Sequence, residues 1–522
     1  MRKRLLMMGW ALLVALVAAA QQPAGHGRGR VENAPRYAMA EGAKQRRIGS
    51  RASAPLPCVG SPKVPVILVQ FSDLRFTVEE TEAAVKENYQ RYFNGTGIEG
   101  VPYRVEGGSW GSVRDYYIEQ SDSLFQPEFT VIGPVTLSQD YAYYGRNVGV
   151  TRDTNYKAFC AEACQLAAEQ SGVPLSDFDS DGDGIIDFVF FIYAGYGEND
   201  SSHEDSNTIW PKESPIRQVV EQDGNTYTFV SNGCTCELYD GAQDGIGLVC
   251  HELNHGLGLP DLYDTSYVSF GLDYWDVMDA GNYQLDGKQP CGFSAYERDF
   301  MGWRALEEVK TGAKVTLTLL PIELGGKGYI IRNDGQPSGN EYFILENRQN
   351  IGFDTALGCP TEMVYQQYGA AHGLLITHVD YLASAWVSNA VNTSASHQRM
   401  TLVPADGALV MPDASPTLYY TSFRGDAYPG NQHVTEMSDY SVFTGTFTQT
   451  VSNIVEHEDG TVTVDINGGG AAAIQDTYAD DAEPVAIYSL SGVRQKGLQR
   501  GVNIVRYRNG VVRKEFVTTE NK

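Results

Sequence analysis

Val249-Cys250-His251-Glu252-Leu253-Asn254-His255-Gly256-Leu257-Gly258-Leu259-Pro260-Asp261 is the stretch whose reading decides the fold. On a helix, residues four apart share a face, so His251 and His255 can turn imidazole nitrogens toward one metal ion. Glu252 then stands beside that metal, where a carboxylate takes a proton from water that the metal has acidified, the chemistry of metal-assisted peptide hydrolysis. The helix is expected to stop at Gly258 and Pro260, because glycine reaches the left-handed C-cap conformation and proline cannot continue a helix. The turned chain is expected to bring back Asp261 as a third ligand.

Of the nine histidines, only this pair lies four apart. Gly258 and Asp261 follow at the metzincin spacing, with aspartate where that pattern has its third histidine. Asp264, close by, and Glu297, on a downstream helix in the other zincin plan, stay open as alternatives. Further on, Tyr274-Trp275-Asp276-Val277-Met278-Asp279-Ala280-Gly281 has the form of a Met-turn, with Met278 beneath the metal ligands. A nearby tyrosine such as Tyr283 could stabilise the oxyanion, although nothing in the sequence selects it.

At this point the chain resembles the immune inhibitor A-like secreted metalloproteases. The resemblance is carried by the zinc run with its continuation Leu262-Tyr263-Asp264, by Ser112-Val113-Arg114-Asp115-Tyr116-Tyr117 and by Tyr141-Ala142-Tyr143-Tyr144-Gly145. It continues in the aspartate loop near 180, Phe293-Ser294-Ala295-Tyr296-Glu297, Glu341 to Gln349 and His372 to Asp380, and so covers roughly residues 60 to 465. It implies a zinc endopeptidase, often with bound calcium, and leaves the substrate open.

Asp179-Ser180-Asp181-Gly182-Asp183-Gly184-Ile185-Ile186-Asp187 is similar to the start of an EF-hand calcium loop, with carboxylates at alternating positions and a glycine for the sharp turn. Phe190 stands where the closing glutamate belongs, so this is not a full EF-hand. Asp179, Asp181, Asp183 and Asp187 are the expected calcium ligands, with Asp177 as an extra.

The 522 residues suffice for two or three domains. Arg2, Lys3 and Arg4, an apolar run from Leu5 to Val17 and Ala18-Ala19-Ala20 read as a signal peptide over 1–20. Its apolar run is too short to span a bilayer comfortably, so an integral membrane protein is not expected. Polar, basic residues 21–57 read as a propeptide or flexible leader. A net charge of −26 argues against a nucleic-acid partner. Eight cysteines at irregular spacing give no disulfide framework. Cys58 is read as a structural or unpaired thiol ahead of a latency cap on the zinc.

The expected fold is α+β. Strand Val64–Phe71, helix Val78–Tyr92, helix Tyr156–Gln170 and strand Phe188–Tyr193 alternate as in a zincin's mixed sheet with backing helices, and Tyr227–Ser231 is expected at the cleft edge. The metzincin-like catalytic domain spans 58–308. A β-rich module follows over 309–467, then a linker over 468–483. The basic, strand-rich tail 484–522, with an Asn509-Gly510 hairpin turn, resembles a type IX secretion sorting domain. The expected partners are therefore protein or peptide substrates and the secretion machinery.

Overall fold

The computed structural model describes residues 56–95, 111–200, 203, 205–336, 338–470, 473–475, 484–489, 494–499, 501–507 and 512–517. The stretch read as a signal peptide, all but the end of the stretch read as a leader, and Asn509-Gly510 lie outside them. Among the described residues no helix is long and apolar enough to cross a membrane.

The first half is a mixed sheet with helices on both faces. In chain order it comprises β1 (Lys63–Gln70), α1 (Glu82–Asn94), α2 (Val113–Gln120), β2 (Glu128–Thr136), α3 (Tyr156–Gln170), β3 (Ile185–Ile186), β4 (Val189–Tyr196), β5 (Lys212–Gln222), β6 (Asn225–Tyr239), β7 (Ala242–Gln243) and α4 (Ile246–Gly256). The sheet order is β2-β1-β4-β6-β3, all parallel, with β5 and β7 antiparallel on β6. β1 and β4 are buried on both sides, which is why each reads as a continuous apolar run. Val66, Leu68, Phe190 and Ile192 face α1, α2 and α4, whereas Ile67, Val69, Phe191 and Tyr193 face α3.

Helix α3 has the bounds that its periodicity predicts. Phe159, Cys160, Ala163, Cys164 and Ala167 form one buried stripe, so the two cysteines are core packing and carry free thiols. α1 starts four residues later than expected. The Glu237 carboxylate accepts from the N–H groups of Thr77 (2.5 Å) and Val78 (2.8 Å), which ties that backbone outside the helix, and Thr81 supplies the cap. Tyr227–Ser231 is not a cleft edge. It lies inside β6, with β3 on one side and β5 on the other. The missed signal is Asp223-Gly224, both at positive φ, which joins β5 to β6 as a hairpin.

The second half adds β8 (Glu307–Glu308), β9 (Val315–Leu319), β10 (Tyr329–Arg332), β11 (Glu341–Arg348), β12 (Gly373–Asp380), β13 (Met400–Leu402), β14 (Val451–Glu456), β15 (Val462–Ile466) and β16 (Ala473–Gln475). They form two sheets, β13-β12-β11-β10-β8 and β14-β15-β9-β16. Phe343, Leu345, Leu374 and Ile376 face the second sheet. On the opposite face, Tyr342, Ile344, Leu375 and Val379 join the same core as α4, so apolar packing runs unbroken across residue 308. Within the stretch read as a linker, β16 pairs parallel with β9, occupying an edge whose backbone groups would otherwise lack partners. The tail strands β17 (Pro484–Ser489), β18 (Arg494–Gln495), β19 (Gly501–Tyr507) and β20 (Val512–Val517) form a separate antiparallel sheet.

Candidate metal centre and active site

All eleven residues of α4 are buried, so its placement is set on every side. Tyr117, from α2, donates to Asn254 Oδ1 (2.8 Å) and to the Cys250 carbonyl (3.1 Å), and Phe188 packs so close to Gly256 that an added Cβ would sit 2.5 Å from its ring. The helix stops as the sequence predicts. Gly258 has φ +101°, its N–H donates to the His255 carbonyl (2.9 Å), and Leu259 N–H donates to the Asn254 carbonyl (3.0 Å), the paired bonds of a Schellman turn.

That stop also orients a ligand. His255 Nδ1 donates to the Leu259 carbonyl at 2.8 Å, and His251 Nδ1 donates to the Val277 carbonyl at 2.9 Å. A carbonyl can only accept, so each Nδ1 carries a proton, and in the neutral ring each Nε2 presents a lone pair. Both Nε2 atoms face Asp261 Oδ1, at 3.1 and 3.2 Å, and that buried oxygen accepts no hydrogen bond. Three lone-pair donors thus converge, and a cation between them is what reconciles them. The spacing suits zinc, since bonds of about 2.0–2.1 Å put the corners of a tetrahedron about 3.3 Å apart. Electrostatics favour positive charge at the same place. Burial works against a charge on His255, yet the Asp261 carboxylate outweighs it and raises the imidazole to about 10. Burial would likewise raise Asp261, and the two imidazoles instead hold it well below the usual carboxylate range.

The turn at residues 276–279 supports both flanks of this site. Val277 holds the His251 ring, and the Met278 carbonyl accepts from Leu262 N–H (2.9 Å), next to Asp261. Met278 is fully buried, and its N–H donates to Asp276 Oδ1 (2.8 Å). Beneath it, the buried Arg348 of β11 donates to the Trp275 carbonyl at 3.1 Å.

Neither alternative third ligand lies with the histidines. Asp264 accepts from Ser266 N–H and Oγ, Val268 N–H and Ser269 Oγ, which consumes its carboxylate in shaping the loop. Glu297 caps the helix Ala295–Phe300 through Ser294. Glu252 is buried, and its charge acts on His255, Tyr263 and the Cys234 thiol. Tyr283 sits against Tyr239, with ring centroids 6.1 Å apart. The phenols that sense Asp261 are the stacked pair Tyr263 and Tyr267, both raised first by burial and then by that carboxylate. The Cys58 thiol donates to the Met301 carbonyl, and its own carbonyl accepts from Trp303 Nε1. Leu56, read as leader, is buried, and its N–H donates to the Gly256 carbonyl at the end of α4, so the packed chain begins before residue 58.

The acidic loop brings Asp179, Asp181 and Asp183 together, with one oxygen of each within 4.8 Å of the others. Asp179 accepts from the N–H groups of Gly182, Asp183 and Gly184. Asp187 stands outside that triad but near it: burial, then the charges of Asp183, Asp181 and Asp179, raise it to about 7. Asp177 is turned to Lys63, 3.3 Å away.

With this geometry in place, residues 57–305 match the family model of the immune inhibitor A peptidase M6 catalytic domain. The pre-pro-metalloprotease PrtV of Vibrio cholerae is 28% identical over 280 residues, covering 46% of this chain and 29% of that protein. Immune inhibitor A of Bacillus thuringiensis subsp. alesti is 29% identical over 283 residues, covering 46% of this chain and 40% of that protein. The chain therefore spans less than half the length of either relative. Over residues 57–305 the chain is therefore similar to the peptidase M6 catalytic domain.

Proposed function

We propose that this protein is an exported, zinc-dependent endopeptidase that hydrolyses peptide bonds of extracellular proteins. The observation that carries the reading is the meeting of His251 Nε2, His255 Nε2 and Asp261 Oδ1 as three lone-pair donors, each ring fixed by a carbonyl at its Nδ1. These three residues would hold zinc, which when bound supplies Lewis acidity and lowers the pKa of water to near neutrality. Glu252 accepts the proton of the attacking water and returns it to the leaving amine. The carbonyls of Leu259 and Val277 keep the imidazoles in one tautomer throughout. Calcium at Asp179, Asp181 and Asp183, completed by Asp187, holds the turn ahead of β4. The N-terminal apolar run serves export, and the basic tail engages secretion machinery.

The test is metal content paired with digestion of an unfolded protein, before and after chelation. We expect one zinc per chain, loss of digestion on chelation and recovery on adding zinc. Digestion that survives complete metal removal overturns the reading.

A further inference from the structure

We propose that Asn389 is a positioning residue for the metal site, so that the site is completed by a part of the chain beyond residue 305, where the family match ends. The inference rests on Asp261 being a metal ligand, and deepens that reading.

Asn389 lies 128 residues downstream of Asp261 and grips it twice. Its Nδ2 donates to Asp261 Oδ2 at 2.6 Å, and its Oδ1 accepts from the Asp261 N–H, also at 2.6 Å. A primary amide carries a donor and an acceptor on one planar head, so using both on the same residue fixes the carboxylate relative to its own backbone. One carboxylate oxygen is thereby occupied. The other, Oδ1, is left facing the two imidazoles.

The clamp is itself anchored. Asn389 has φ +53°, a left-handed conformation that asparagine tolerates better than most side chains. It follows the short helix Ala383–Val387, whose Ala385 and Trp386 are buried in the core shared with α4. Three residues on, the fully buried Asn392 donates to the Leu262 carbonyl (2.6 Å) and the Met400 carbonyl (2.7 Å) and accepts from Met400 N–H (3.0 Å). Two asparagines therefore hold two consecutive residues, Asp261 and Leu262, and Met400 ties them to β13. No ligand motif announces them, because neither touches the metal position itself.

Outer partners of metal ligands typically affect affinity by about 10–100-fold. Asn389→Gly keeps the left-handed backbone accessible and removes only the amide head. Zinc affinity, measured by chelator competition in the full chain, should weaken by about 10–100-fold, and the visible absorption of the cobalt-substituted protein should change. A double-mutant cycle with Asp261→Asn separates positioning from general stability, because the cost of Asn389→Gly should largely vanish once Asp261 is gone. Should the glycine variant not fold, Asn389→Asp serves instead: it keeps the shape and the acceptor but replaces the donor by a carboxylate that repels Asp261, and it too should bind zinc more weakly. Wild-type affinity and an unchanged cobalt spectrum in the folded variant, or full additivity in the cycle, overturn the inference while leaving the enzyme reading intact. A wild-type protein that binds no zinc overturns both.

Discussion

At the residue scale, Glu252 and His255 make separable predictions. Glu252 handles a proton and does not belong to the converging triad, so Glu252→Ala should retain zinc and lose hydrolysis by roughly 10²–10⁴-fold. His255→Ala should lose the metal together with the activity, because it removes a ligand. Metal analysis on both purified variants decides this, and a metal-free Glu252→Ala protein would mean that Glu252 is holding the ion. A different buried acid sets a pH dependence. Burial raises Asp273 to about 7, and Tyr419 OH donates to both its oxygens at 2.8 and 2.7 Å. A carboxyl raised in the folded state favours folding while protonated, so its stabilising contribution is fully present below its unfolded value, near 4, and is lost as pH rises toward 7. Asp273→Asn should therefore flatten the stability profile between pH 4 and 7, measured as denaturation midpoints.

At the element scale, what was legible in the sequence is what is local. The helix α4 with its two histidines, its stop, the spacing to Asp261 and the stripe of α3 all follow from residues within a few turns of one another. Gly258 is the sharpest case: at φ +101° it lets Leu259 turn its carbonyl to His255. Gly258→Ala should destabilise the fold by about 1–2 kcal/mol and also weaken zinc binding, since the ring loses its fixed acceptor. A variant that melts lower yet binds zinc as before would detach the turn from the ligand. The acidic loop is legible only in part, because spacing gives the aspartates but not which of them meet. Asp179, Asp181 and Asp183 meet, whereas Asp177 pairs with Lys63. Calcium should raise the melting temperature by mass action on the folded state. Asp181→Ala with Asp183→Ala should abolish that response. An unmoved wild-type melting curve would leave the loop as an acidic turn. Asn389 and Arg348 were not legible, because a single sequence carries no record of contacts made across so many intervening residues.

At the scale of the whole molecule, composition shows where the chain changes character but not where packing ends. The shift to strands after residue 308 suggests a separable catalytic domain. Yet β11 and β12 bury one face in the core around α4, Arg348 holds the Trp275 carbonyl and Asn389 holds Asp261. A chain cut after residue 308 removes Ile344 and Leu375, which line one small cavity with Leu272, Trp275 and Tyr296, and Phe423, which stacks on Trp275, and buried aliphatic or aromatic side chains contribute about 1.5–3 kcal/mol each. Against a net stability of about 5–15 kcal/mol, losing several such contacts should leave the fragment unfolded. The opposite outcome is expected at the other boundary. Among the described residues, β17 to β20 pair only with one another. Removing residues 484–522 should therefore leave the melting transition and peptide hydrolysis of the remainder within error of the full chain, and impair export alone. A fragment ending at 308 that folds and hydrolyses peptides, or a tail deletion that collapses the body, would redraw these boundaries.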